Sequence, residues 1–316
     1  MAHAAIERFK ALESAFFETT KRSERLSARF AAAACLSAED DVPTLVRRSL
    51  RERDAIAQQI SRWKAPSGAL RLVYGAALAA SRRDGGGLVK MIDALAAERK
   101  RRGGRSLSAG GARAALILVC AGGSYSQAGM FYDVLEEIAA PWWRRRPAEE
   151  EGFAAIMTAA GETPATAAER LARAEMSLKA AGAPRSIMST SRFDVAVANP
   201  RVDDFTSAWT ALSIAVRQRR GLLRRASWAG IATLAAQVED GSQAGDALVE
   251  ADRFVQEHRP RVNGMAAGRL AVRLAAVMTG VRSPGGAAVD LAAILAAQAA
   301  VIATTTAATA AVVVAT

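Results

Sequence analysis

The sequence predicts an all-α protein, and three observations carry that prediction. β-Branched residues are scattered, and no alternating apolar–polar run lies between hairpin turns. An Ala-rich helix end, a short polar turn and an amphipathic helix follow one another six times, at "LAASRRDGG" (78–86), "VCAGGSYSQ" (119–127), "AAGETP" (159–164), "VANPRVDD" (197–204), "AAQVEDGSQ" (235–243) and "VMTGVRSPGG" (277–286). The spacing of roughly 40 residues is that of tandem antiparallel helical hairpins. The helices after these turns share one apolar face at i, i+3, i+4 and i+7.

In chain order, a weaker copy of the unit lies at "AAACLSAEDDVPTLVRRSL" (32–50), where Asp40 or Asp41 precedes a helix. The stretch "KAPSGA" (64–69) is the candidate boundary between an N-terminal helical segment, 1–66, and the hairpin region, 67–285. Leu88, Ile92 and Leu95 form the face of the next copy, and Phe131, Leu135 and Ile138 that of the one after it. At 159–185 the signals are strongest. Thr163 has the character of an N-cap with Pro164 at the first helical position, where its missing N–H costs nothing. Thr166 and Glu169 offer a capping box one turn later. Leu171, Ala174, Leu178 and Ala181 then fall on one face before Gly182 and Pro184 stop the helix. Phe153, Ile156, Met157 and Ala160 make the face of the helix before it, so 159–185 reads as the second half of a hairpin. Phe205, Trp209 and Leu212, then Leu248, Ala251 and Val255, continue the pattern. Two arrangements satisfy it: a TPR/HEAT-like array or a compact helical stack.

Hydrophobic residues make up 51% of the 316 residues, but many are Ala and only 5% are aromatic. Such faces permit close helix–helix approach with little burial per residue. The single cysteines in "AAAACLS" and "LILVCAGG", Cys35 and Cys120, read as small buried hydrophobes, with no CxxC or disulfide framework around them. Charged residues Glu7, Arg8 and Lys10 leave no signal-peptide core near the first residue, so a cytoplasmic location is expected. From Leu291 to Thr316 the chain is uncharged. Its length suits a membrane span, but Ala and Thr insert weakly and Gln298 would sit in hydrocarbon. An apolar helix at 286–316 capping the same domain is the expectation, with a tail-anchored membrane-associated protein as the alternative.

The net charge is +11. Basic residues cluster at Arg101, Arg102 and Arg105; at Arg144, Arg145 and Arg146 after Trp142 and Trp143; at Arg217, Arg219, Arg220, Arg224 and Arg225; and at Arg259 and Arg261. Each cluster follows the second helix of a hairpin, whereas Asp84, Glu162, Asp203, Asp204, Glu239 and Asp240 favour the other turns. One edge should therefore be basic and the other acidic. Helix dipoles predict both edges, since anions favour N-termini and cations C-termini by about 0.3–1 kcal/mol each. Phosphate binding, aided by stacking on Trp142 and Trp143, predicts the basic edge alone. The dipole account is therefore preferred. Trp63, Trp209 and Trp228 read as core or edge packers. Packing is also the preferred reading for Trp142 and Trp143, with an interface anchor as the alternative.

Catalytic signals are absent. Of the two histidines, His3 lies near the first residue and His258 reads as complementing a helix C-terminus. No GxSxG elbow surrounds a serine. "AGGSYS" (121–126) lacks the Lys of a phosphate loop and follows a helix rather than a strand. Glu136–Glu137 and Asp203–Asp204 are adjacent, so on a helix they diverge. No cofactor or metal is expected.

The order "FYDVLEEIAAPWW" (131–143), "EEEGFAAIMTAAGETPATAAERLARAEMSLKAAGAPRS" (149–186) and "FDVAVANP" (193–200) resembles the bacterial family catalogued as domain of unknown function 4003. The likeness spans about residues 70–280. It departs at the central turn, where that family's "HPF-LT"-like residues are replaced by "PWWRRRP" (141–147). The resemblance implies a cytoplasmic bacterial all-helical protein and no activity. By fold-level analogy, stacked hairpins present long surfaces to partners. The functional expectation is a non-catalytic protein-binding or scaffolding module, with nucleic-acid binding along the Arg edge as the alternative.

Overall fold

The computed structural model describes residues 2–60, 66, 68–259 and 264–280. The regular structure of these residues is helical throughout. The elements are α1 (Ala2–Thr19), α2 (Arg25–Cys35), α3 (Val42–Gln59), α4 (Gly68–Ala80), α5 (Gly85–Arg102), α6 (Ala112–Cys120), α7 (Ala128–Glu137), α8 (Pro147–Ala159), α9 (Pro164–Ala180), α10 (Arg185–Ala198), α11 (Val202–Gln218), α12 (Leu222–Gln237), α13 (Gly241–Glu257) and α14 (Gly264–Met278).

Local chemistry explains the starts. Asp41, not Asp40, caps α3 by accepting from Thr44 N at 2.9 Å. Asp84 caps α5 through Gly87 N at 2.8 Å, and Asp240 caps α13 through Ser242 N and Gln243 N. Thr163 caps α9 with Pro164 at its first position, as its sequence implies.

Helices two apart in the chain pack on one another all the way round. The even-numbered helices α2 to α14 form an inner layer, and each touches the next. Most of them are Ala-rich and largely buried, as in α6, where Ala114 to Val119 are all enclosed; α10 is the exception, with six of its 14 residues buried. The odd-numbered helices form an outer layer, amphipathic, with one face on the inner ring and one in water. They begin at Ala2, Val42, Gly85, Ala128, Pro164, Val202 and Gly241, which restates the sequence spacing.

The hairpins are out of phase with the sequence reading. Helices joined by the tight Ala-Gly turns, such as α8 and α9, share only marginal contact. The closely packed antiparallel pairs are instead α1/α2, α3/α4, α5/α6, α7/α8, α9/α10, α11/α12 and α13/α14, joined through the basic loops. The tight turn carries the chain outward from an inner helix to the next outer one, with Gly161 (φ 73°) allowing the reversal after α8. The boundary expected at 64–69 falls where α4 begins at Gly68, and α3 and α4 are the most extensively packed pair.

The two ends of this array meet, so the stack is a closed ring and not an open superhelix. Helix α14 packs on α1 and α2, and Arg273 Nη2 donates to Ser37 Oγ at 2.7 Å. Buried Glu13 on α1 accepts from Arg29 on α2 and also meets His258 Nε2 at the end of α13. The His258 ring stacks on Phe254 at 4.8 Å, and Phe9 meets Phe254 edge-on at 6.0 Å. His258 does sit at a helix C-terminus, as expected, but the group it touches is a carboxylate from the far end of the chain.

Close approach is the price of an Ala-rich core. A Cβ on Gly268 of α14 would lie 1.8 Å from the carbonyl oxygen of Arg225, and one on Gly75 of α4 2.3 Å from that of Ser49. Backbone cannot step aside as a side chain can. Gly268→Ala should therefore destabilise the protein by about 1–3 kcal/mol despite its better helix propensity. A urea midpoint equal to or above that of the parent would show that α12 and α14 separate freely.

Phe205, Trp209 and Trp228 pack in one row, with Trp209 5.3 Å from Trp228. Cys35 and Cys120 are free, and burial pushes both thiols up to about 12, which suits packing residues and not nucleophiles. Among the described residues no helix is long and apolar enough to cross a membrane. The expectations for Trp63, Arg261 and the 286–316 segment fall outside the described residues.

Candidate functional sites at the rim and the axis

Because outer and inner helices alternate in direction, one end of the ring collects the C-termini of outer helices and the N-termini of inner ones. The basic clusters lie in these loops. The other end collects the acidic caps Asp41, Asp84 and Asp240 and the first-turn Asp203 and Asp204 of α11. Both edges are present: the acidic groups sit at the N-termini of outer helices and the basic clusters at their C-termini, as the dipoles of the outer helices favour, while the inner helices run the opposite way.

The rim residues fall into two groups. Arg101 and Arg102 both donate to Glu98, and Arg102 also reaches Asp133 at 2.7 Å and Glu136 at 3.4 Å. The hydrogen bonds from Arg101 and then Arg102 hold the Glu98 carboxyl down to about 2. Arg105 pairs with fully buried Glu150 at 2.9 Å, while neighbouring Glu151 accepts from Ser108 N and Oγ. Arg225 forms a two-pronged pair with buried Asp252 at 2.5 and 2.7 Å. Arg102, Arg105 and Arg225 tie one element to another, whereas the Arg101–Glu98 pair lies within α5.

The second group faces water. Arg144, Arg145, Arg146, Arg217, Arg219, Arg220, Arg224 and Arg259 are exposed, and no carboxylate among the described residues pairs with their side chains. Arg217 lies over the Trp228 ring at 5.5 Å. Trp142 and Trp143 are 78% and 66% exposed, so the expectation that they pack is corrected. They cannot reach the core because Pro141 and Pro147 bracket a 3₁₀ turn, closed by Arg144 N on Pro141 O at 2.8 Å, that stands clear of both layers. The two rings meet edge to face at 5.9 Å. On the same end a hollow of about 490 Å³ opens between Gly221, Arg224, Arg225, Gln256 and Gly264.

A second group of polar residues, not singled out by the sequence reading, lies on the inner layer. Arg113 (α6), Glu149 (α8), Asp194 (α10), Thr233 (α12) and Arg269 (α14) come from five consecutive inner helices. Arg269, Glu149 and Arg113 all act electrostatically on Asp194. Thr233 Oγ1 donates to Asp194 Oδ2 at 2.8 Å. Burial pushes the Asp194 carboxyl up to about 6, against the Thr233 hydrogen bond and the two arginines, and the same enclosure lowers Arg269. Among the described residues no group of three or more His, Cys, Asp or Glu is placed to hold a metal ion.

The fold and these two groups define a closed two-layer helical ring with a basic, aromatic-bearing rim and a cluster of charged residues on its inner layer. Comparison with protein-family models, with curated proteins and with solved structures finds no match to this chain.

Proposed function

We propose that this ring is a non-catalytic cytoplasmic binding module that docks an acidic protein surface on its basic rim. The observation that carries the reading is the exposed Trp142–Trp143 pair. Large apolar side chains left in water lose the burial that a core would give them. Trp and Arg are also the residues that most often dominate binding energy at protein interfaces. Prolines on both sides hold the turn, so little ordering entropy opposes docking. Nearby arginines that no carboxylate among the described residues pairs with supply complementarity to an acidic patch and raise the association rate.

The test is capture from nuclease-treated lysate with the parent protein and with Trp142→Ala/Trp143→Ala. Each anchor of this kind is worth about 2 kcal/mol or more, so the double variant should bind a partner more than about 30-fold less tightly. Its urea midpoint should stay within about 0.5 kcal/mol of the parent, because the side chains touch solvent. Equal capture by both proteins would end the reading.

A second reading rests on the same uncompensated arginines: single-stranded nucleic acid, with bases stacked on the Trp pair. It requires binding of a labelled oligonucleotide whose log affinity falls with log salt by about 0.7 per phosphate contacted. Binding that does not weaken with salt excludes it.

A further inference from the structure

We propose that the hollow beside α12, on the basic end of the ring, binds the phosphate group of a small phosphorylated molecule, with Arg224, Arg225 and Gln256 supplying side-chain donors. It lies on the same end as the Trp142–Trp143 turn but does not use those residues, and it stands whether or not the rim docks a protein.

The first support is the space. A hollow of about 490 Å³ opens where the turn before α12, the last turn of α13 and the start of α14 converge. Small-molecule sites run from about 300 to 1,000 Å³. The second is the chemistry of the lining. Among the described residues that line it there is no carboxylate, and the side chains of Arg224 and Gln256 make no hydrogen bond or ion pair among the described residues. Arg225 is committed on one side only. Its Nε and Nη2 donate to Asp252 Oδ1 and Oδ2 at 2.7 and 2.5 Å, which occupies both oxygens of a carboxylate only 1% exposed. That pair fixes the guanidinium and leaves Nη1 over. Nη1 lies against Gly221, where a Cβ would stand 3.0 Å from it. The third is the backbone of the same turn. Gly221 sits at φ 78°, and the N–H groups of Leu223 and Arg224 meet neither a backbone acceptor nor a side-chain cap among the described residues. Unused donors of three kinds therefore border one hollow.

The surroundings add to the positive field, since Arg219, Arg220 and Arg259 are exposed and no carboxylate among the described residues pairs with them. A guanidinium is a fixed fork of donors that matches phosphate oxygens. A carboxylate brings one charge and two oxygens to such a lining. A phosphate monoester brings a charge of about −1.5 to −2 at neutral pH and three strong acceptor oxygens, so it meets more of the unused donors. The volume beyond the phosphate takes the rest of a small molecule.

The experiment is titration calorimetry of the full chain at constant ionic strength. The probes are glycerol 3-phosphate and inorganic phosphate, with acetate as the control anion. Glycerol 3-phosphate should bind one to one and acetate should not. Tighter binding of the ester than of the free ion assigns the site to an esterified ligand, and equal binding assigns it to free phosphate; both support the phosphate site. Arg224→Ala, at an exposed position, should weaken binding by about 10- to 100-fold, the usual consequence of losing hydrogen bonds to a charged group. Gln256→Ala should weaken it by about 3- to 10-fold. Arg144→Ala removes the same charge from another loop and should leave affinity within about 2-fold of the parent. Trp142→Ala/Trp143→Ala should bind phosphate as the parent does, so loss of docking and loss of this site are read separately. The proposal is overturned if neither phosphate binds, if acetate matches them, or if Arg144→Ala weakens binding as much as Arg224→Ala, because the attraction would then belong to the whole basic end.

Discussion

Glu13→Ala should lower the stability of the ring by about 3–5 kcal/mol, a large part of what a domain usually has. Glu13 is 3% exposed and meets two partners, the guanidinium of Arg29 at 1% exposure and the imidazole of His258 at the end of α13. Removing the carboxylate takes away the counter-charge that Arg29 meets at that buried position. It also severs one polar link between the first helix and the last outer helix, leaving closure to the other contacts, among them Arg273–Ser37, Phe9–Phe254 and the packing of α14 on α1 and α2. Exposed pairs give the contrast. Arg201→Ala, which breaks the solvent-facing pair with Asp204, should change stability by no more than about 0.5 kcal/mol. Urea unfolding of the two variants decides the matter. A Glu13→Ala midpoint shifted no further than that of Arg201→Ala would mean that apolar contacts of α14 hold the ring closed unaided.

What the sequence disclosed and what it hid divide along the range of the interactions involved. The turns and caps were legible because Asp84, Thr163 and Asp240 act on backbone groups two or three residues away. The class was legible because helix periodicity is local. The phase of the hairpins was not. Both α8 and α9 carry apolar faces, and nothing within either states which neighbour each will cover. The better guide was the contrast between "ARAALILVC" in α6, apolar all round, and "PATAAERLARAEMSLKA" in α9, striped, which separates inner from outer helices. Closure was hidden too, because it depends on a small rotation per pair summed round the ring.

The rim shows the same division. Charge clustering placed the Arg residues on one edge, but only geometry separates Arg102, held by three carboxylates, from Arg144, which no carboxylate among the described residues holds. Trp142 and Trp143 carried a usable signal in the prolines on either side, which forbid the helix that would bury them. The axial cluster left a fainter one: a lone charge within an apolar helical run, as Arg113 in "ARAALILVC" and Asp194 in "FDVAVA". Each looks like a surface position until helices distant in the chain bring Arg113, Glu149 and Arg269 within electrostatic reach of Asp194.

Asp194→Asn should stabilise the protein at neutral pH, against the usual direction of a buried substitution. The native carboxyl is raised to about 6 from 3.8, chiefly by burial, with Glu149 adding to the effect and Thr233, Arg269 and Arg113 opposing it. Below about pH 4 the group is protonated folded and unfolded, and its burial carries no ionisation cost. Between about pH 4 and 6 the unfolded chain ionises first, so the unfolded state binds fewer protons and stability falls as pH rises. Above about pH 6 the whole cost is present, about 2 kcal/mol once the surface that Asp194 retains is allowed for. Asparagine removes the ionisation and still accepts from Thr233. The variant should therefore match the parent near pH 4 and exceed it by about that amount at pH 7. Parallel pH–stability curves for the two proteins would show that Asp194 ionises in the native state as easily as in the unfolded one.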